Sequence, residues 1–79
     1  MIYQIQDYKA ASTTTAYTYT VPIFMLDIEN TGASAITLSQ FTISIPAGSK
    51  RTIYLGGITK FTITASTAFN FIAYTGMPE

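Results

Sequence analysis

The chain contains no cysteine, no histidine and no tryptophan. Without thiols there are no disulfides, thiolate metal sites or cysteine nucleophiles, and redox chemistry does not fix the compartment. Without imidazole, serine and threonine hydroxyls, though plentiful, have no ordinary base to activate them. Charge is scarce as well. Lys and Arg total 4, Asp and Glu total 4, and together they make up 10% of the residues, against about 25% in an average soluble domain. The balance is neutral, so nothing draws the chain to nucleic acid or to an anionic membrane. The longest apolar run, Val21 to Leu26, is interrupted by Pro22 and is far short of the roughly 20 residues of a spanning helix. The opening Met1-Ile2-Tyr3-Gln4 has neither the basic start nor the apolar block of a signal peptide. These absences lead us to expect a soluble protein with no cofactor, no resident metal, no enzymatic activity, and neither nucleic acid nor membrane as partner.

What remains is apolar and aromatic: 48% hydrophobic residues and 14% Phe or Tyr, set among threonines and serines. A surface of Thr, Ser and Tyr with few charges suits a protein packed against copies of itself or against partners, so a homo-oligomer is expected. At 79 residues the chain is read as one domain, with a thin core that covers only roughly 60% of the unfolded surface.

The most informative stretch runs from Ile36 to Ala65. Apolar side chains recur at every second position: Ile36 and Leu38, then Phe41, Ile43 and Ile45, then Ile53 and Leu55, then Phe61, Ile63 and Ala65. Period two with β-branched and aromatic residues means strands with one buried and one wet face. Pro46-Ala47-Gly48 and Gly56-Gly57 punctuate the run as turns. Before it, Met1–Tyr8 reads as a strand, Lys9–Ala16 as a polar loop or arm, Tyr17–Val21 as a strand, and Ile23–Glu29 as another. Pro22 marks a strand end, and Asn30-Thr31-Gly32 a turn in which Gly32 can take positive φ. Phe69–Thr75 is the last strand, and residues 76–79 a tail. The sum is about eight short antiparallel strands, the spacing of a small β-sandwich or jelly roll. The expected core is Phe24, Leu26, Ile28, Ile36, Leu38, Phe41, Ile43, Ile45, Ile53, Phe61, Ile63 and Phe71. Residues 1–20, a strand and a polar spacer ahead of a complete set of strands, could form an extended arm exchanged between subunits.

Several apolar residues fall opposite this core face: Ile23, Met25, Tyr54, Ile58, Ile72 and Tyr74. With Tyr3, Ile5 and Tyr8 of the arm they form the candidate interface, because clustered exposed apolar side chains mark association surfaces. A register error of one residue would instead turn them inward. Asp27 and Glu29 are the one pair of carboxylates on a strand. They read as solvated charges, with a cation site shared with Asn30 as the alternative. Lys50-Arg51 reads as an exposed hairpin tip that could otherwise meet a phosphate or carboxylate, and Lys60 as a guard against edge pairing. Carbohydrate stacking on Tyr17, Tyr19, Tyr54 or Tyr74 is a further possibility.

Asn30-Thr31-Gly32, the Ile/Thr alternation, Ile45-Pro46-Ala47-Gly48, Thr52-Ile53-Tyr54-Leu55 with Gly56-Gly57, and the closing Phe69–Gly76 segment resemble small accessory proteins of bacteriophage virions. These are the β-sandwich or jelly-roll decoration, cement and fibre-knob proteins. The resemblance spans roughly residues 21–76 and carries no site motif. It implies a structural role in a virion, as an oligomer that binds the capsid shell or other virion proteins. The alternatives are a glycan- or receptor-binding fibre or tail-tip module and a non-viral adhesin or filament subunit.

Overall fold

The computed structural model describes residues 2–77. They form six strands: β1 (Ile2–Ala11), β2 (Thr15–Asn30), β3 (Ile36–Leu38), β4 (Ile43–Ile45), β5 (Lys50–Thr64) and β6 (Phe69–Met77). A single 3-10 turn, Ser39–Phe41, separates β3 from β4. All-β architecture is therefore correct. The strands make one sheet in the order β1-β6-β2-β5-β3-β4, and every pairing in it is antiparallel. Eight expected strands become six because Pro22 and Gly56-Gly57 bend strands rather than end them. Lys9–Ala11 extend β1 and Thr15–Ala16 open β2, which shortens the expected arm loop to Ser12–Thr14. Gly76 and Met77 continue β6. Met1, Pro78 and Glu79 lie outside the described residues.

The sheet folds over itself. In a straight strand, Tyr17 and Ile28 of β2 would lie about 36 Å apart. Phe71 is registered opposite Ile28, yet its ring centroid is 4.8 Å from that of Tyr17. The β2–β5 ribbon must therefore double back between these points. The register shows where, with shifts between Thr18 and Ile23 and between Ile23 and Met25. Directly across, Gly56 and Gly57 take φ of 72° and 93°. Positive φ inside a strand is the geometry of a bulge or corner, open to glycine at no steric cost. The first half of β2, the second half of β5, β3 and β4 form one layer. The second half of β2, the first half of β5, β6 and β1 form the other.

The core fills the space between the layers. Buried apolar residues are Tyr17, Ile23, Leu26, Ile28, Ile36, Leu38, Ile45, Ile53, Leu55, Phe61, Ile63, Phe69, Phe71 and Ala73. Tyr17, Phe61 and Phe71 form an aromatic cluster with centroids 4.8–5.6 Å apart. Three expected core residues fall elsewhere. Phe41 is 39% exposed because the chain coils into the 3-10 turn and leaves it through Thr42 at φ 51°, which breaks the alternation. Ile43 is half-buried on the short outer strand β4. Phe24 is also half-buried, and its ring lies where a Cβ on Gly57 would sit, 2.9 Å away. Five buried side chains were not expected in the core: Tyr17, Ile23, Leu55, Phe69 and Ala73.

Asn30 ties down the open ends of the fold. It is fully buried. Its Nδ2 donates to the carbonyls of Ser34 at 2.7 Å and Ile45 at 3.0 Å, and its Oδ1 accepts from the N–H of Gly32 at 3.0 Å. Its backbone N–H donates to Ser49 O, and its carbonyl accepts from the Gly48 N–H. Gly32 is not at positive φ. It is needed because a Cβ there would collide with the Thr67 hydroxyl at 1.6 Å.

Two stability predictions follow from this packing, both read by chemical denaturation. Gly56→Ala meets no neighbour within 4 Å, so it should cost only the left-handed backbone strain, about 1–2 kcal/mol. Gly57→Ala adds a clash with the Phe24 ring and should cost about 3 kcal/mol or more. Equal effects would contradict the fold-over at this corner. Asn30→Ala strips partners from buried carbonyls and should cost about 2–3 kcal/mol.

Candidate interaction surface

Along β2, alternation puts Leu26 and Ile28 inside and Met25, Asp27 and Glu29 outside. The ladder registers then assemble an outward face row by row. Ile5 stands opposite Tyr74, Tyr74 opposite Met25, and Met25 opposite Tyr54. In the next row Tyr8 stands opposite Ile72, Ile72 opposite Asp27, and Asp27 opposite Thr52. Tyr3 adjoins the first row opposite Gly76, and its ring centroid is 6.4 Å from that of Tyr54. The register shift between Ile5 and Asp7 absorbs Gln6 and keeps Tyr8 on the same face as Tyr3 and Ile5.

Of the proposed interface residues, Tyr3, Ile5, Tyr8, Met25, Tyr54, Ile72 and Tyr74 thus share one surface. Tyr54 is 68% exposed, Ile5 64%, Tyr8 59% and Tyr3 43%. Met25, Ile72 and Tyr74 are half-buried between them. Two residues do not belong to it. Ile23 is fully buried, because the register shift between it and Met25 turns neighbours that would share a face to opposite sides. Ile58 packs, half-buried, against the core.

The face carries an internal polar tie. The Asp27 carboxylate accepts from the Thr52 hydroxyl at 2.6 Å and from the Tyr74 hydroxyl at 3.1 Å. Asp27 is therefore a positioning group for Tyr74 rather than a free solvated charge. Glu29 stands beside it opposite Lys50. Asn30 points into the core with its oxygen already bonded, so the three oxygen donors do not converge on a cation. Partial desolvation, then the bond to Asp27 and the nearby negative charge, raise the Tyr74 pKa.

A second polar tie closes the open corner. β2 and β1 are not paired, although only Ser12–Thr14 separate them, and a cleft of about 410 Å³ lies between Gln6, Asp7 and Lys9 on one side and residues 17–20 on the other. The Tyr19 hydroxyl spans it, donating to Asp7 Oδ2 at 3.0 Å, with Lys9 Nζ 3.9 Å from the same oxygen. Burial, followed by the bond to Asp7 and its negative charge, raises the Tyr19 pKa far above the ordinary 10.0.

Other sequence candidates disperse. Tyr17 is buried in the aromatic cluster and cannot stack on a sugar. Lys50 and Arg51 are exposed on β5. Lys60 is exposed on a part of β5 that β3, paired only at Ile63 and Thr64, does not cover, the place expected of a guard against edge pairing. Its carbonyl accepts from Gln40 Nε2 at 3.1 Å while Gln40 Oε1 accepts from the Thr62 N–H at 3.0 Å, so a side-chain amide continues the ladder where β3 has ended. The hydrogen bonds to Asp7 and Asp27 had no signal in the sequence, because they depend on which strands lie side by side. No protein-family model matches the chain, and no curated protein or solved structure matches it.

The Tyr19–Asp7 bond gives a pH prediction. A tyrosine whose folded pKa is raised contributes stability that is complete below its unfolded value and is lost as pH climbs toward the folded value. Stability should be flat from neutral pH to about 10 and fall above it. Tyr19→Phe should be less stable at neutral pH and should flatten the alkaline decline. An unchanged alkaline slope in Tyr19→Phe would show that the bond does not form.

Proposed function

We propose that this chain is a structural subunit of an assembly, a virion protein that binds a capsid shell in multiple copies, and that the Tyr3–Tyr54 face is its packing surface. The supporting observation is the collection of Tyr3, Ile5, Tyr8, Met25, Tyr54, Ile72 and Tyr74 on one outward sheet face. A patch of this kind is of the size of the largest that a monomer exposes, and such patches are often functional. Its four most exposed side chains leave on the order of 500 Å² open, more than half of the roughly 800 Å² that each partner gives a standard interface. Aromatic anchors of this type dominate interface energetics. The virion assignment draws on the resemblance of the turn and strand pattern to phage accessory proteins.

A second reading is favoured by Asp27. A hydrogen-bonded carboxylate among exposed tyrosines is also the chemistry that holds a sugar, which would make the face a glycan-binding platform.

Ile5→Lys with Tyr54→Lys tests both. These side chains are exposed, so the far-ultraviolet spectrum and unfolding midpoint should change little. Self-association or particle binding, measured by sedimentation, should weaken about 30-fold, the equivalent of ~2 kcal/mol. Undiminished association would reject the face as the packing surface. A chain that stays monomeric, ignores particles and binds a glycan through Tyr54 would establish the second reading.

A further inference from the structure

Strand β1 is held differently from every other part of the chain. None of its side chains is fully buried, and the buried core runs from Tyr17 to Ala73 without it. Only Ala11, at its end, packs against the core. Its placement depends on the ladder to β6, which runs from Ile2 opposite Met77 to Ala11 opposite Phe69, and on the Tyr19–Asp7 bond. It carries Ile2, Tyr3, Ile5 and Tyr8, most of the large apolar side chains left exposed among the described residues.

The connection to β2 is equally unusual. Strands β1 and β2 flank β6 and are both antiparallel to it, so the link between them closes no hairpin but carries the chain from one layer to the other, and loops that reverse the backbone in so few residues favour Gly, Asn, Asp or Pro. The loop here is Ser12-Thr13-Thr14 and contains none of them. Among the described residues, positive φ occurs only at Thr42 and at glycines, so the loop lacks the conformations that make tight reversals easy. Threonine is instead at home in extended backbone. The base of the loop is fixed: Thr14 Oγ1 donates to Ala65 O at 3.3 Å and accepts from Ala65 N–H at 3.1 Å. Ser12 and Thr13 are exposed, and the one hydrogen bond given to them is that from the Thr15 hydroxyl to the Thr13 carbonyl at 3.0 Å.

We propose that β1 is an exchangeable arm: the Ser12-Thr13 reversal straightens, and β1 of one copy pairs with β6 of a second copy in the register seen within one chain. The occupant of the vacated place is fixed by the structure itself, since the groove beside β6 is already complementary to β1. The exchange conserves the β1–β6 ladder and relieves a short loop poorly built for turning, the condition that favours swapping between identical chains. It carries Tyr3, Ile5 and Tyr8 onto the neighbour's outward face, where they complete the same aromatic rows. The inference rests on reading the chain as an assembling subunit and specifies how copies are joined.

The test uses the absence of native cysteine. Ala10 and Asn70 are registered partners, close enough for a disulfide if both are replaced. Ala10→Cys chains and length-tagged Asn70→Cys chains are mixed, unfolded, refolded together and oxidised. Exchange predicts the mixed cross-link as the main product, severalfold above either like-with-like species. Ser12→Asn with Thr13→Gly, which installs a proper turn, should reduce it severalfold. The single chain carrying both cysteines shows that the pair can close, and Gln4→Cys with Thr75→Cys, another registered pair, replaces it if either variant fails to fold. The proposal is overturned if the doubly substituted chain closes its disulfide only within itself and the mixed chains give no cross-link above that of Ala10→Cys alone. The outcome is independent of the Lys substitutions at Ile5 and Tyr54, so arm exchange and the packing face can fail separately.

Discussion

Two adjacent glycines in the middle of a strand set the shape of this protein. At φ of 72° and 93°, Gly56 and Gly57 place a corner in β5, and the register shifts in β2 around Ile23 place the matching corner opposite. Without that corner the β2–β5 ribbon would be a long flat hairpin with both faces wet. With it, Tyr17 and Phe61 swing over Phe71, and one sheet supplies both walls of its own core. This is how a chain of 79 residues encloses a core without a second sheet or a helix. Asn30 secures the opposite end, where its amide joins the end of β2 to the Ser34 and Ile45 carbonyls.

The outward face follows from the same constraint. Once Leu26, Ile28, Ile53, Phe71 and Ala73 turn inward, period two forces Met25, Asp27, Tyr54, Ile72 and Tyr74 outward, and β1 adds Tyr3, Ile5 and Tyr8 alongside. A face of this kind is hazardous on a monomer, because uncovered aromatic surface beside an unpaired strand edge promotes non-specific association. The edges are treated unequally. β4, at one end of the sheet, has 3 residues, whereas β1, at the other, has 10 and carries most of the large apolar groups exposed among the described residues. That asymmetry suits a protein whose long edge strand and aromatic face are covered by neighbours.

The sequence makes some of this legible and hides the rest for identifiable reasons. Strand class and the inward sets at Leu26–Ile28, Ile36–Leu38 and Phe61–Ile63 follow directly from alternation, and so do most residues of the outward face. Pro22 and Gly56-Gly57 were misleading because the same residues end strands in one context and bend them in another; only pairing across β2 and β5 decides between the two. Ile23 turned inward for the same reason, since a bulge resets the alternation after it. Phe41 was lost to a 3-10 turn that its apolar neighbours did not announce. The roles of Asp7 and Asp27 depend on strand order, which brings Tyr19 and Tyr74 to them from distant positions and which local pattern does not encode.

The central claim is that the Tyr3–Tyr54 face is where this protein meets its neighbours. Surface labelling of aromatic side chains with hydroxyl radicals, read by mass spectrometry on dispersed and on assembled protein, tests it most directly. Phe41, exposed on the other layer, provides an internal reference. The account predicts that Tyr3, Tyr8 and Tyr54 become protected together on assembly while Phe41 keeps its reactivity. Protection of Phe41 with Tyr8 and Tyr54 still reactive would contradict it.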